Sequence, residues 1–132
     1  MKKITPLKNL FEIKDNYLSV SVSGHFSLFH AKKIYADSLE ILLDKNLSKL
    51  FFDVCKVNGK VTTMDRYYLG EFAALESIKF LEKGLQFYAV TFYGIEPIID
   101  SERFGELVAK NRGLNLKVTS NKNEALKFLG IK

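Results

Sequence analysis

The sequence predicts an α/β fold with a mostly parallel sheet, an antiparallel hairpin at its N-terminal side and about four flanking helices. Apolar, strand-like segments alternate with segments of helical periodicity along most of the chain. Asp15 and Asn16 lie between the first two strand segments, and this pair is typical of a tight hairpin turn. The resulting order, β-β-α-β-α-β-α-β-α, favours parallel strands joined by right-handed crossovers.

Length and composition predict one domain over residues 1–132, since 47% apolar residues with 11 Phe and 6 Tyr are sufficient for a hydrophobic core. The formal charge of +5 comes from Lys residues scattered along the chain. Scattered Lys is typical of a solvated surface, so binding to nucleic acid or to a membrane is not expected.

Cysteine content and hydropathy bear on the compartment. Cys55 is the single cysteine and cannot form an internal disulfide, which fits a reducing environment. Lys2 and Lys3 are not followed by an apolar signal segment, and no stretch approaches the roughly 20 apolar residues of a membrane span. We therefore expect a cytoplasmic protein.

The N-terminal elements follow from two periodicities. Residues 10–13 form the first strand, and residues 18–22 alternate apolar residues with serines as the second. Residues 24–26 are predicted to end that strand. Ser27 then caps a helix with an apolar residue every three or four positions, which runs to about Asn46.

The central segment reads as strand, loop and helix. Residues 50–57 form an apolar strand expected to be covered on both faces, and residues 58–60 form a loop. Thr62 followed by Asp65 has the form of a capping box. The helix after it ends at Lys83 and Gly84. Its apolar residues recur at helical spacing at Tyr68, Phe72, Leu75 and Ile78.

The C-terminal half continues the alternation. Residues 85–93 predict another strand buried on both faces. A loop over 97–101 precedes a helix that ends at 111–113. Residues 114–118 alternate as a last strand, and Asn121 caps the terminal helix.

The start of the central helix resembles a known signature. Residues 64–70 read Met-Asp-Arg-Tyr-Tyr-Leu-Gly. In the STAS domain, the fold of bacterial anti-sigma-factor antagonists and of the cytoplasmic tails of sulfate transporters, the corresponding sequence is Met-Asp-Ser-Ser-Gly-Leu-Gly after the third strand. The match covers Met64, Asp65, Leu69 and Gly70.

Further short sequences are similar to a branch of small stand-alone bacterial STAS-like proteins of unknown role. These are residues 53–59, 63–67, 103–106 and 111–116. The resemblance implies a non-enzymatic regulatory domain that binds a protein partner, unidentified here, through the loop and helix start at 58–72. A homodimer is the other possibility.

The chain departs from the family at one informative position. Antagonists carry a Ser directly after the signature Asp, and its phosphorylation controls partner release. Arg66 occupies that position here, so this switch is not carried over. Thr62 and Thr63 are nearby, but a Thr at a helix start is more typical of a cap than of a phosphorylation site.

The predicted partner-binding residues lie in this segment. Arg66 opposes the helix dipole, which has two explanations: an ion pair with an acid, or a small anion site with Lys60 and the amides around Thr62 and Thr63. Adjacent Tyr67 is the best candidate for a contact surface because Tyr and Arg are enriched at interface centres. The full predicted set is Asn58, Lys60, Thr62, Thr63, Asp65, Arg66 and Tyr67.

No catalytic, cofactor-binding or metal-binding residues are predicted. His25 and His30 lack partners at ligand spacing. Cys55 lies within a strand, as a buried apolar residue would, and Asp53 in the same strand requires a backbone or cationic partner. The alternative function is a carrier or sensor of a small hydrophobic or anionic ligand, based on the aromatic strand at 85–93.

Overall fold

The computed structural model describes residues 5–131. It contains five strands and four helices in the predicted order, which confirms the element order. They are β1 (Lys8–Lys14), β2 (Tyr17–His25), α1 (Leu28–Lys45), β3 (Lys49–Asn58), α2 (Thr63–Glu82), β4 (Ala89–Tyr93), α3 (Phe104–Asn111), β5 (Leu116–Thr119) and α4 (Lys122–Phe128).

The strands form one sheet in the order β1-β2-β3-β4-β5. β1 pairs with β2 antiparallel, and the other neighbours are parallel, so the predicted fold class is confirmed. The two faces are covered unequally. Helices α1, α2 and α3 pack on the face that carries Leu50 and Phe52, and α4 packs against Phe51 on the opposite face.

Aromatic side chains fill the larger core layer. The Phe52 ring stacks on Phe92 with a centroid distance of 4.6 Å and on Tyr35 with a distance of 5.8 Å. The Tyr35 hydroxyl shares a 2.8 Å hydrogen bond with the hydroxyl of Ser77 on α2. This bond gives the phenol a partner inside the core and ties α1 to α2.

Helix-terminal signals behave as predicted. The side chains of Ser27, Thr62 and Asn121 accept hydrogen bonds from the first turns of α1, α2 and α4. Gly84 has φ of +103° directly after the C-cap of α2, which is the conformation that favours glycine there. Local sequence therefore determines where these helices begin and end.

Three strand boundaries were predicted wrongly. β2 continues to His25, because Gly24 at φ +106° lets the strand pass close to the backbone of Pro6. β4 begins only at Ala89, since the Leu85 amide instead donates to the Phe80 carbonyl at the end of α2. β5 likewise begins at Leu116, after the Leu114 amide donates to the end of α3.

Helix α2 buries its small residues. Its buried positions are Gly70, Ala73, Ala74, Ser77 and Phe80. Three members of the apolar series that the spacing indicated are exposed instead: Tyr68, Leu75 and Ile78. Because α2 contacts both α1 and α3, its small residues allow the close approach. Of its large side chains Phe80 is buried, while Tyr68, Leu75 and Ile78 remain outside.

Helices α2 and α3 approach closely at Gly70 of α2. A Cβ atom at this position would lie 2.7 Å from the carbonyl oxygen of Gly105 in α3. Gly105 is less restricted, since its own Cβ would lie 3.4 Å from the Arg66 carbonyl oxygen. The final glycine of the STAS-like signature therefore has a packing role.

Side chains from the start of α3 bind the outer edge of β5. Glu106 Oε1 accepts a 2.7 Å hydrogen bond from the Val118 amide. Arg103 Nε donates to the Val118 carbonyl at 3.1 Å. Both backbone groups that Val118 directs away from β4 are thereby satisfied.

Candidate functional site

The candidate site begins with the loop that follows β3. Asn58, Gly59 and Lys60 are exposed. Gly59 has φ of +92°, and a Cβ there would lie 2.7 Å from the His25 imidazole. The loop therefore rests on His25, and this position requires glycine for both its conformation and its contact. The amide of Phe26 also donates to the Asn58 carbonyl at 2.8 Å, which fixes the loop start.

A complete capping box opens α2. The Asp65 amide donates to Thr62 Oγ1 at 3.0 Å, and the Thr62 amide donates to Asp65 Oδ2 at 2.9 Å. The capping role predicted for Thr62 is thus confirmed. Thr63 lies beside it and is exposed. The box gives the helix start a fixed direction and leaves both threonines at the surface.

Arg66 connects the start of α2 to the segment before α3. Its Nε atom lies 3.3 Å from Asp100 Oδ1, and its side chain is 14% exposed. The terminal nitrogens donate to the carbonyls of Val61 at 2.6 Å, Pro97 at 2.8 Å and Ile98 at 3.0 Å. The ion-pair explanation for Arg66 is confirmed, and its acid is on another segment.

These contacts bear on the predicted anion site. The guanidinium is committed to one carboxylate and three carbonyls, and the Thr62 amide is occupied by Asp65. Lys60 is exposed in the loop. Of the charged groups that the anion hypothesis combined, Lys60 is the one directed to solvent. Arg66 therefore holds two segments of this chain together.

Tyr67 belongs to a second cross-link, between α2 and the end of α3. Its hydroxyl lies 3.3 Å from Glu71 Oε2 and accepts from Arg112 at 3.2 Å. Arg112 also forms a 3.1 Å ion pair with the same Glu71 oxygen and lies over the Tyr67 ring. Tyr67 is therefore half-buried and mainly engaged within the chain.

Exposed apolar side chains lie beside the loop. Met64 and Tyr68 are on the first turns of α2, and Phe29 is on the first turn of α1. The ammonium of Lys32 lies 5.9 Å from the centre of the Tyr68 ring, which associates the two helix starts. Met64 and Tyr68, one turn apart on α2, thus form an exposed apolar patch directly after the polar loop residues, an arrangement typical of protein interfaces.

An apolar cavity of about 150 Å³ lies between the sheet and the helices. Its charged lining residues are Arg66, Asp100, Arg103 and Glu106, and each of them already binds within the chain. The remaining lining is mostly aliphatic and aromatic, and includes Val22, Phe26, Tyr35, Phe52, Ala73 and Phe92.

The residues considered for catalysis lie elsewhere. Asp53 Oδ1 accepts a 3.0 Å hydrogen bond from the Cys55 amide, at a register shift between β2 and β3, so its partner is the backbone of its own strand. Desolvation by burial raises the pKa of the Cys55 thiol, which disfavours a nucleophilic thiolate. His25 supports Gly59, and His30 Nδ1 lies 3.0 Å from Ser27 Oγ.

Two absences hold for residues 5–131. No group of three or more His, Cys, Asp or Glu side chains is close enough there to hold a metal ion. Within the same residues, no helix is both long and apolar enough to cross a membrane.

Sequence reasoning missed several residues at this site. Asp100, the acid that pairs with Arg66, and Arg112, which binds Tyr67, are distant in sequence and carry no local signal. Tyr68 was predicted as part of the apolar series of α2 and Phe29 was not singled out, so only their exposure shows that both lie at the surface. Residues 103–106 stood out for their similarity to STAS-like proteins, but the role of Arg103 and Glu106 depends on β5.

Comparisons with known proteins bear on the fold. No family model and no curated protein matches the chain. Among solved structures, an anti-sigma factor antagonist from Mycobacterium paratuberculosis is 16% identical, with a TM-score of 0.55 and 95% of each chain covered. An uncharacterised protein with a SpoIIAA-like fold from Shewanella loihica is also 16% identical, with a TM-score of 0.52 and 98% of each chain covered. The chain therefore has the STAS-like fold that its sequence predicted.

Proposed function

We propose that the chain is a non-enzymatic regulatory domain that binds a protein partner through residues 58–72. The observation that carries this proposal is the apolar patch of Met64 and Tyr68 on α2, directly after the exposed loop. Large apolar side chains bordered by polar groups mark interaction sites on soluble proteins. The similarity in fold to an anti-sigma factor antagonist supports the same class of function.

Within the predicted site, the residues divide by role. Asn58, Lys60, Thr62 and Thr63 are exposed and available to a partner. Asp65, Arg66 and Tyr67 are half-buried, and their polar atoms bind within the chain. We propose that these three hold the surface in place and that Met64 and Tyr68 contribute the apolar contacts. Regulation then takes a form other than phosphorylation of the residue at position 66.

The patch is tested by a paired Met64→Ser and Tyr68→Ser variant in a pull-down from the native host, with mass spectrometry of the bound proteins. We expect partner capture to fall about ten-fold or more, as for residues at an interface centre. Thermal unfolding should change little because both side chains are exposed.

The matched control is Leu107→Ser, which removes an equally exposed apolar side chain from α3. A partner held by wild type and by the control, but lost from the paired variant, supports the surface. Equal capture by all three folded proteins would show that the patch is not the binding site.

The cavity favours a second candidate function, binding of a small apolar molecule. Its volume of about 150 Å³ matches apolar cavities that accept a benzene-sized guest. Because Arg66 and Arg103 are engaged with backbone carbonyls, neither is free for an anionic group. The candidate ligand is therefore neutral and apolar, and the anionic alternative is not favoured.

This candidate predicts that benzene or indole binds the wild-type protein and shifts NMR signals of the cavity residues. Ala73→Val places two methyl groups in the cavity and should weaken that binding by about ten-fold, the effect of a clash of a kcal/mol or more. Ala74→Val is the control, because Ala74 is equally buried on the same helix but does not line this cavity. Wild-type protein without response to either probe near its solubility limit would eliminate the candidate.

A further inference from the structure

The outer face of α2 is apolar along most of the helix. Met64, Tyr68, Leu75 and Ile78 are between 42% and 53% exposed, and we call them the outer stripe. They lie at spacings that place them along one side of the helix. A helix on the surface of a soluble protein normally carries polar residues on this side. Neither α1 nor α3, which flank α2, covers the outer stripe.

The charges beside the outer stripe have a particular symmetry. Glu71 lies four residues before Leu75 and Lys79 four residues after it, on the same ridge of the helix. If a second α2 crosses this ridge in the antiparallel direction, Glu71 of each copy faces Lys79 of the other. Within one chain Glu71 already binds Arg112 and Lys79 already binds Glu76, so these contacts would extend existing ion pairs. Such a contact is closed and self-complementary, as two-fold symmetry requires.

A second pair obeys the same symmetry. Tyr68 precedes Leu75 by seven residues, and Glu82 follows it by seven. The Lys32 ammonium lies 5.9 Å from the Tyr68 ring and 5.5 Å from the Phe72 ring. In an antiparallel pair, Glu82 of one copy faces Tyr68 of the other and therefore approaches the Lys32 that lies over that ring. Opposite charges then meet at both ends of the apolar contact.

We propose that the outer stripe of α2 pairs with the same stripe of a second copy, antiparallel and centred on Leu75. The apolar side chains provide the attraction, and the pair Lys32–Glu82, which occurs once at each end of the contact, selects direction and register. This inference goes beyond the proposed function, because its centre lies outside residues 58–72. It also names the occupant, since a single sequence supplies both halves of each charge pair.

Cysteine cross-linking tests the geometry, in a Cys55→Ala background that removes the native thiol. Leu75→Cys places one thiol from each copy at the centre of the contact, so mild oxidation should give a covalent dimer. Leu107→Cys is the control, because Leu107 is 54% exposed on α3, away from the outer stripe. Equal, slow cross-linking at both positions would overturn the proposal.

A charge exchange tests the register. Sedimentation equilibrium should show that Lys32→Glu and Glu82→Lys each raise the dimer dissociation constant several-fold, and that the double exchange restores it. Leu75→Glu should abolish pairing while leaving the protein folded. A wild-type protein that stays monomeric up to about 1 mM, the range of weak association, would overturn the inference.

The two proposals fail separately. Partner capture by monomeric Leu75→Glu protein would leave the proposed function standing whatever the outcome for pairing. Pairing of the wild-type protein with no change in capture on Met64→Ser and Tyr68→Ser would leave the pairing standing and remove the partner surface.

Discussion

Replacing Arg66 with alanine is expected to lower the free energy of unfolding by about 2–4 kcal/mol, measured by urea denaturation. The change leaves the Asp100 carboxylate, 28% exposed, without its cation, and it removes the donors to three backbone carbonyls. We place the loss below that of a fully buried ion pair because water can reach Asp100 and part of the vacated space.

Two further substitutions make the result specific. Arg66→Lys retains the positive charge but lacks the planar set of donors, so it should recover only part of the lost stability. Lys33→Ala breaks an exposed ion pair with Asp37 and should cost less than about 0.5 kcal/mol. If Arg66→Ala were as mild as Lys33→Ala, the cross-link between α2 and the segment before α3 would not contribute to stability.

The same experiment separates two roles of position 66. An Arg66 substitution that weakens partner capture in proportion to the unfolded fraction acts through the fold. Loss of capture by fully folded Arg66→Lys protein would instead require direct contact with the partner. For this reason the exposed Met64 and Tyr68 are better first probes of the surface than Arg66.

Gly70→Ala is expected to destabilise the protein by about 2–3 kcal/mol, although alanine is a better helix former than glycine by about 1 kcal/mol. The added Cβ would lie 2.7 Å from the Gly105 carbonyl oxygen and 3.3 Å from Val108 Cβ. A backbone oxygen cannot rotate away as a side chain can, so α2 and α3 must move apart. Thermal unfolding followed by circular dichroism measures the loss.

Gly105→Ala is the matched control, since it adds the same atom on the other side of the same helix contact. Its Cβ would meet the Arg66 carbonyl oxygen at 3.4 Å, an ordinary contact. The control should therefore be neutral or slightly stabilising through helix propensity. Equal behaviour of the two alanine variants would mean that the helices separate freely at this point.

The element order was predictable because its signals are local. Ser27, Thr62 and Asn121 each satisfy backbone amides within three residues, so the sequence contains both partners of each bond. The start of β4 was not predictable in this way. Leu85 is an apolar residue that would suit a strand. Its amide instead donates to the Phe80 carbonyl at the end of α2, and its side chain is buried.

The candidate site was chosen by position. The segment at 58–72 was selected from its place after a central strand and from the STAS-like signature. Arg66 pairs with Asp100, and Tyr67 binds Arg112. These partners are distant in sequence, so only the tertiary structure shows that both side chains bind within the chain. The rotation of α2 about its own axis was also not predictable, because the spacing of apolar residues does not reveal which of two faces is buried.

The hydrogen bonds that Glu106 and Arg103 make to Val118 have a consequence for assembly. A terminal strand with free amides and carbonyls can recruit a strand from another molecule, and this is a common route to aggregation. At β5 the two side chains occupy the positions that such a strand would need. Growth of the sheet by strand addition at Val118 would therefore require these two side chains to be displaced first.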